Sequence, residues 1–184
     1  MRLALIFLVF FLLNACTDDV VVKPAAELRL EYGLVAYDSL LTECPFQFQK
    51  NKLATMIEKE NCNINLEYPR MNATLYLSYQ RVTDDNLNKL LSDAQKLTYD
   101  HTVKANEILE QPRVDPENKV YGMFYSINGD AATQSQFYVT DSIKHFLSGA
   151  LYFESKPNFD SIYPAVVYLR NDIRRIMESI EWGE

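Results

Sequence analysis

Cys16 is the residue best placed for chemistry. It closes the tetrad Leu13-Asn14-Ala15-Cys16, directly after Leu3 to Leu13, eleven uninterrupted apolar residues that follow Met1-Arg2. Eleven residues of helix rise about 16–17 Å, roughly half the hydrocarbon thickness of a bilayer, so the run reads as the apolar region of an export signal and not as a spanning helix. The tetrad looks like a bacterial lipobox, in which a small residue precedes the cysteine whose thiol is alkylated by a diacylglyceryl group. Asn14 departs from the commonest pattern, which has a small or β-branched residue there. A thioether-linked diacylglyceryl group plus an amide-linked chain gives three acyl tails, more than the two signals stable anchoring requires. The competing reading is an ordinary signal peptide that happens to end in a cysteine.

The other reactive side chains are few. After acylation of Cys16 two cysteines remain, Cys44 and Cys62, an even number suited to an oxidising compartment. A bridge would close a loop of about 18 residues and stabilise the fold by roughly 3 kcal/mol; two buried thiols are the alternative. No histidine lies near either cysteine, so a zinc pair is not expected. His101 falls on the apolar stripe of an expected helix, the place of a hydrogen-bonded core imidazole. His145 follows Asp141 and Ser142, and a Ser/His/Asp set can be written there, although residues so close in sequence rarely converge as a triad. No Gly-rich phosphate loop, Gly-x-Ser-x-Gly elbow, His-Glu-x-x-His or Cys-x-x-Cys is present. No catalytic residue, metal or cofactor is expected, and the carboxylates read as solvated faces.

A chain of 184 residues with 48% hydrophobic and 12% aromatic residues suits one folded domain. The net charge of −7 argues against a nucleic-acid partner, which needs a basic patch. Removing residues 1–15 as a signal peptide takes Arg2 away and leaves the mature chain more acidic still. Residues 16–27 read as a lipidated tether, polar and interrupted by Pro24. Residues 28–184 form the domain.

Elements must position what chemistry there is. Leu28 to Tyr32, Phe46 to Gln49, Asn63 to Tyr68 and Ala73 to Tyr79 alternate with period two, and Tyr68 to Met71 makes the last two a hairpin. From 84 to 110 the spacing changes: Leu87, Leu90, Leu91, Ala94, Leu97, His101, Ala105 and Ile108 recur at three and four, predicting one long helix with Asp84 and Asp85 in its first turn and Pro112 as its stop. A break near Thr98 to Thr102 would shorten it. Strands are expected at Val120 to Ile127, Ser135 to Thr140 and Phe146 to Glu154. A closing helix carries the stripe Ile162, Val166, Leu169, Ile173, Ile176 and Ile180, with Asp160 or Ser161 as cap and Pro164 in the first turn. The expected class is α+β: a single domain, mainly antiparallel sheet packed by two helices. Its element order is similar to the Mog1/PsbP-like fold.

Tyr99-Asp100-His101-Thr102-Val103-Lys104-Ala105, Asn118-Lys119-Val120-Tyr121-Gly122 and the long block Gln136-Phe137-Tyr138-Val139-Thr140-Asp141-Ser142-Ile143-Lys144-His145-Phe146-Leu147-Ser148-Gly149-Ala150-Leu151-Tyr152-Phe153 resemble the GldD family of gliding-motility lipoproteins. Asp38-Ser39 with Cys44-Pro45, Cys62 and the closing Glu181-Trp182 match as well. Ser148 departs from the basic residue expected there. The resemblance implies a non-enzymatic accessory lipoprotein of the gliding and type IX secretion machinery. Cys16 would be the lipidation site and Cys44–Cys62 a disulfide, with the protein anchored to the inner or outer membrane and facing the periplasm. Its partners would be proteins of that machinery, a GldE-like membrane protein among them. A ligand- or partner-binding module without a motility role is the alternative. Asp38-Ser39-Leu40, Asp141-Ser142-Ile143 and Asp160-Ser161-Ile162 also resemble an Asp-Ser/Thr-apolar sequon for O-glycosylation, against which stands their ordinary use as turns and caps.

Overall fold

The computed structural model describes residues 32, 34–40, 42–100, 104–154 and 158–183. Ten strands form two antiparallel sheets. β1 (Tyr37–Leu40), β2 (Phe46–Asn51) and β10 (Glu181–Trp182) make the smaller one, with β2 central. The larger has seven strands: β3 (Thr55–Glu58), β4 (Ile64–Tyr68), β5 (Ala73–Arg81), β6 (Ala105–Asp115), β7 (Val120–Gly129), β8 (Thr133–Thr140) and β9 (His145–Phe153). Their spatial order is β3-β4-β5-β9-β8-β7-β6. Helix α1 (Leu87–Tyr99) follows β5, and α2 (Phe159–Glu178) follows β9.

The two helices lie on opposite sides of β8, whose residues are all buried. Along α2, Leu169, Ile173, Ile176 and Met177 join Phe137, Val139, Leu147, Leu151, Leu75 and Leu77 in the main core. Each such aliphatic side chain stabilises the fold by about 1.5–3 kcal/mol when fully buried. Alternation then sends Gln136 and Tyr138 to the α1 side, where Val82, Leu90, Tyr125, Tyr138 and Phe146 form a second, smaller core. Gly149 is required on β9. A Cβ there would lie 2.2 Å from the Phe137 ring, which occupies that space from the facing strand. Cys44, just before β2, and Cys62, just before β4, are joined by a disulfide with Cα atoms 5.6 Å apart. The bond ties the smaller sheet to the larger.

Several expectations need correction. The helix expected over 84–110 ends at Tyr99, and Ala105–Asp115 is instead an edge strand paired with β7 along its length. Ala105 and Ile108 fit helical spacing by coincidence; the open edge of β7 supplies hydrogen bonds that decide their conformation. Pro112 does not stop a helix but sits opposite Met123 on that edge strand, where a missing N–H is tolerated. Asp84 and Asp85 precede α1 rather than entering its first turn, and Asn86 takes the cap position. The cap of α2 is Asn158, whose side chain accepts from the Ser161 N–H, so Pro164 falls inside the helix. Strands β1, β3 and β10 are not among the expected elements, and the closing helix ends at Glu178, before Ile180. The expected strand Leu28 to Tyr32 falls outside the described residues except for Tyr32, which belongs to no strand. Cys16, the signal segment, the tether through residue 27 and His101 lie outside the described residues.

Candidate functional site

Helix α1 covers its side of the sheet incompletely. Of its 13 residues only Leu90 and Thr98 are buried. Between the helix and strands β5, β7, β8 and β9 a groove of about 320 Å³ remains. Leu90, Ala94 and Leu97 form one wall, and Tyr125, Tyr138, Phe146, Tyr152 and Tyr76 the other. Tyr138 stacks on Phe146 at 5.7 Å, and Tyr76 meets Tyr152 edge-on at 5.8 Å, which gives the sheet wall two aromatic pairs with Ser78 and Ser148 between them. Burial, and then Tyr138, raises the pKa of Tyr125; burial, and then Tyr76, raises that of Tyr152. The Tyr125 and Tyr152 phenols are therefore neutral at physiological pH. Asp93 is the one charged residue among the lining residues described.

Gln136 reaches this groove from the central strand. It is 4% exposed, and its Oε1 accepts a 2.7 Å hydrogen bond from Thr98 Oγ1, itself fully buried on α1. Among the described residues its Nε2 has no partner. A buried amide donor without an acceptor is uncommon and costs free energy, so this atom needs a reason. Sequence reading missed Gln136 as a site residue. Its only signal was a glutamine alternating with Phe137 on an expected strand, which alternation alone assigns to a solvated face.

A second polar centre holds α2 in place. Asp172, read from sequence as one of many solvated carboxylates, is 1% exposed. Tyr68 Oη donates to its Oδ2, while its Oδ1 has no hydrogen-bond partner among the described residues. Asn51 Nδ2 donates to Tyr168 Oη at 2.8 Å beside them. Burial raises the Asp172 pKa above its ordinary value, while Tyr68 first, and then the nearby polar groups of Tyr37 and Asn51, act to lower it. The same burial, and then the Asp172 charge, pushes the Tyr37 phenol up to about 12. The Tyr68–Asp172 and Asn51–Tyr168 bonds tie α2 to β4 and β2, a positioning task for the helix.

His145 is buried at the start of β9. Its Nδ1 lies 2.9 Å from Tyr79 Oη, and its ring stacks on Trp182 at 5.2 Å. Burial lowers its pKa, against the charge of Asp141. Asp141 is itself occupied: its Oδ1 accepts from the backbone N–H groups of Ile143, Lys144 and His145 at 2.8–2.9 Å. Burial works to raise the Asp141 pKa, but these backbone bonds hold it below the ordinary value. Ser142 is exposed with a φ of 67°, at the tip of the β8–β9 turn. The three residues written as a Ser/His/Asp set are therefore a capped turn, with the imidazole directed to Tyr79 and Trp182. Ser39 and Ser161, from the other two Asp-Ser sequences, are exposed as well, and Ser161 Oγ donates to the Asn158 carbonyl.

Among the described residues no helix is long and apolar enough to cross a membrane, and no group of three or more His, Cys, Asp or Glu is arranged to hold a metal. No curated protein matches the chain. The family model described as gliding motility lipoprotein GldD matches residues 17–182, which spans both sheets, both helices, the disulfide and the groove, and the chain belongs to that family of motility-related envelope lipoproteins.

Proposed function

We propose that this protein is a non-enzymatic accessory or assembly factor of the gliding motility and type IX secretion machinery. It is held to an envelope membrane by acyl chains on Cys16 and faces the periplasm. The observation that carries this reading is the family match over residues 17–182. The geometry of the polar centres supports it: His145, Asp141 and Asp172 direct their hydrogen bonds into a turn and a helix contact. The role then resides in surfaces and in the tether, with a GldE-like integral membrane protein as partner by family association.

The test is a deletion strain complemented with variants and scored for colony spreading, secreted-protein profile and lipoprotein abundance. Deletion impairs spreading or export of large secreted proteins. His145→Ala, at normal abundance, restores both; a variant that accumulates normally yet behaves like the deletion overturns the non-enzymatic reading. Cys16→Ser abolishes acyl labelling and releases the protein from the membrane fraction, and unchanged fractionation refutes the anchor. A deletion with normal spreading and normal secretion removes the motility role.

A further inference from the structure

We infer that the groove beneath α1 is a binding site for a neutral acyl lipid, with the chain against the aromatic wall and an ester or amide carbonyl on Gln136 Nε2. Three observations converge. The walls are apolar and aromatic, and Leu97 and Tyr76 remain 47% exposed on them, which gives an apolar chain a surface to follow inward. At the base is a buried donor with no acceptor among the described residues, on an amide whose oxygen accepts a 2.7 Å hydrogen bond from Thr98 Oγ1. A carbonyl oxygen is the complement of that donor.

The charge pattern selects among amphiphiles. No lysine, arginine or histidine is among the lining residues described, and the carboxylate of Asp93 at the exposed rim is paired at 3.2 Å with Lys89. A fatty acid or phospholipid anion drawn down to Gln136 would be desolvated with no counter-charge beside it. A neutral ester or amide avoids that penalty. The volume of about 320 Å³ lies at the lower end of small-molecule sites, which suits a single chain and not a two-chain lipid. A single water could satisfy Nε2, but would leave the apolar walls without a partner. This inference stands apart from the assembly role, which requires no ligand.

The test uses the full-length protein in its own membranes. A monoacylglycerol carrying a diazirine and an alkyne in its chain is irradiated in place, beside the free fatty acid of the same chain, and crosslinks are mapped by peptide mass spectrometry. Monoacylglycerol labels peptides of α1, β8 and β9, at least fivefold more than the acid does. Gln136→Met keeps the side-chain length, removes the donor and lowers groove labelling about three- to tenfold, the effect of one neutral hydrogen bond. Leu97→Asp, at an exposed position that tolerates the change, lowers it at least threefold and decides the matter if Gln136→Met fails to accumulate. Labelling that maps off the groove, that is equal for the acid, or that neither variant reduces overturns the assignment.

Discussion

Replacing Tyr68 by Phe removes one hydroxyl from the buried contact with Asp172 and changes little else, because Tyr68 is 1% exposed and its ring stays packed in the main core. Above the folded pKa of Asp172 the lost bond is one from a neutral donor to a carboxylate, which contributes about 1.5–3 kcal/mol. Once Asp172 is protonated the same bond is neutral and contributes about 1 kcal/mol. The cost of Tyr68→Phe is therefore near 2 kcal/mol where Asp172 is ionised, and falls to about half that below pH 3.8, where its raised pKa leaves it protonated. For a domain of this size it lowers Tm by about 4–8 °C at pH 8. The sign for Asp172 itself follows from its raised pKa. Stability from protonating it in the native state is fully present below the unfolded value of 3.8 and is lost as pH rises through the folded value. Asp172→Asn, neutral at every pH, should match or exceed the native protein at pH 8 and lose that advantage toward pH 4. Urea unfolding at both pH values, with the Tyr68→Phe/Asp172→Asn double variant closing the cycle, measures each quantity. A Tyr68→Phe cost below about 0.5 kcal/mol at pH 8, or one that grows on acidification, refutes the account of α2 as held by a buried phenol–carboxylate contact.

Reducing or deleting the Cys44–Cys62 bond should cost about 3 kcal/mol, as its 18-residue separation implies, read as a lower urea midpoint with reductant; no change in midpoint would show that the bond adds no stability. Gly149→Val drives a Cβ into the Phe137 ring and should destabilise by at least about 1–3 kcal/mol, measured by thermal melting; an unchanged melt would show that β9 can move away from β8.

Much of the fold was legible along the chain because its signals are local. The period-two runs at 64–68, 73–79 and 120–127 became strands, since alternation needs only one buried face. The stripe Val166, Leu169, Ile173, Ile176 became the buried side of α2 for the equivalent reason at period 3.6. The family resemblance, carried by residues 136–153, agrees with the match over 17–182. What failed depended on distant partners. Ala105 and Ile108 continue a helical pattern perfectly well, and only the hydrogen-bonding edge of β7 makes them strand. Asp172 reads as a solvated carboxylate until β1, β2 and β4 bring Tyr37, Asn51 and Tyr68 around it. Gln136 reads as the polar face of a strand until α1 and α2 cover β8 from both sides and enclose its amide. Hydrophobic period reports which side of an element avoids water, and it is computed from neighbours in sequence. Whether the opposite side meets water or a second layer depends on distant segments, with Thr98 38 residues from Gln136 and Tyr68 104 residues from Asp172, so burial of the polar side chains, and with it the groove, was decided by the tertiary structure alone.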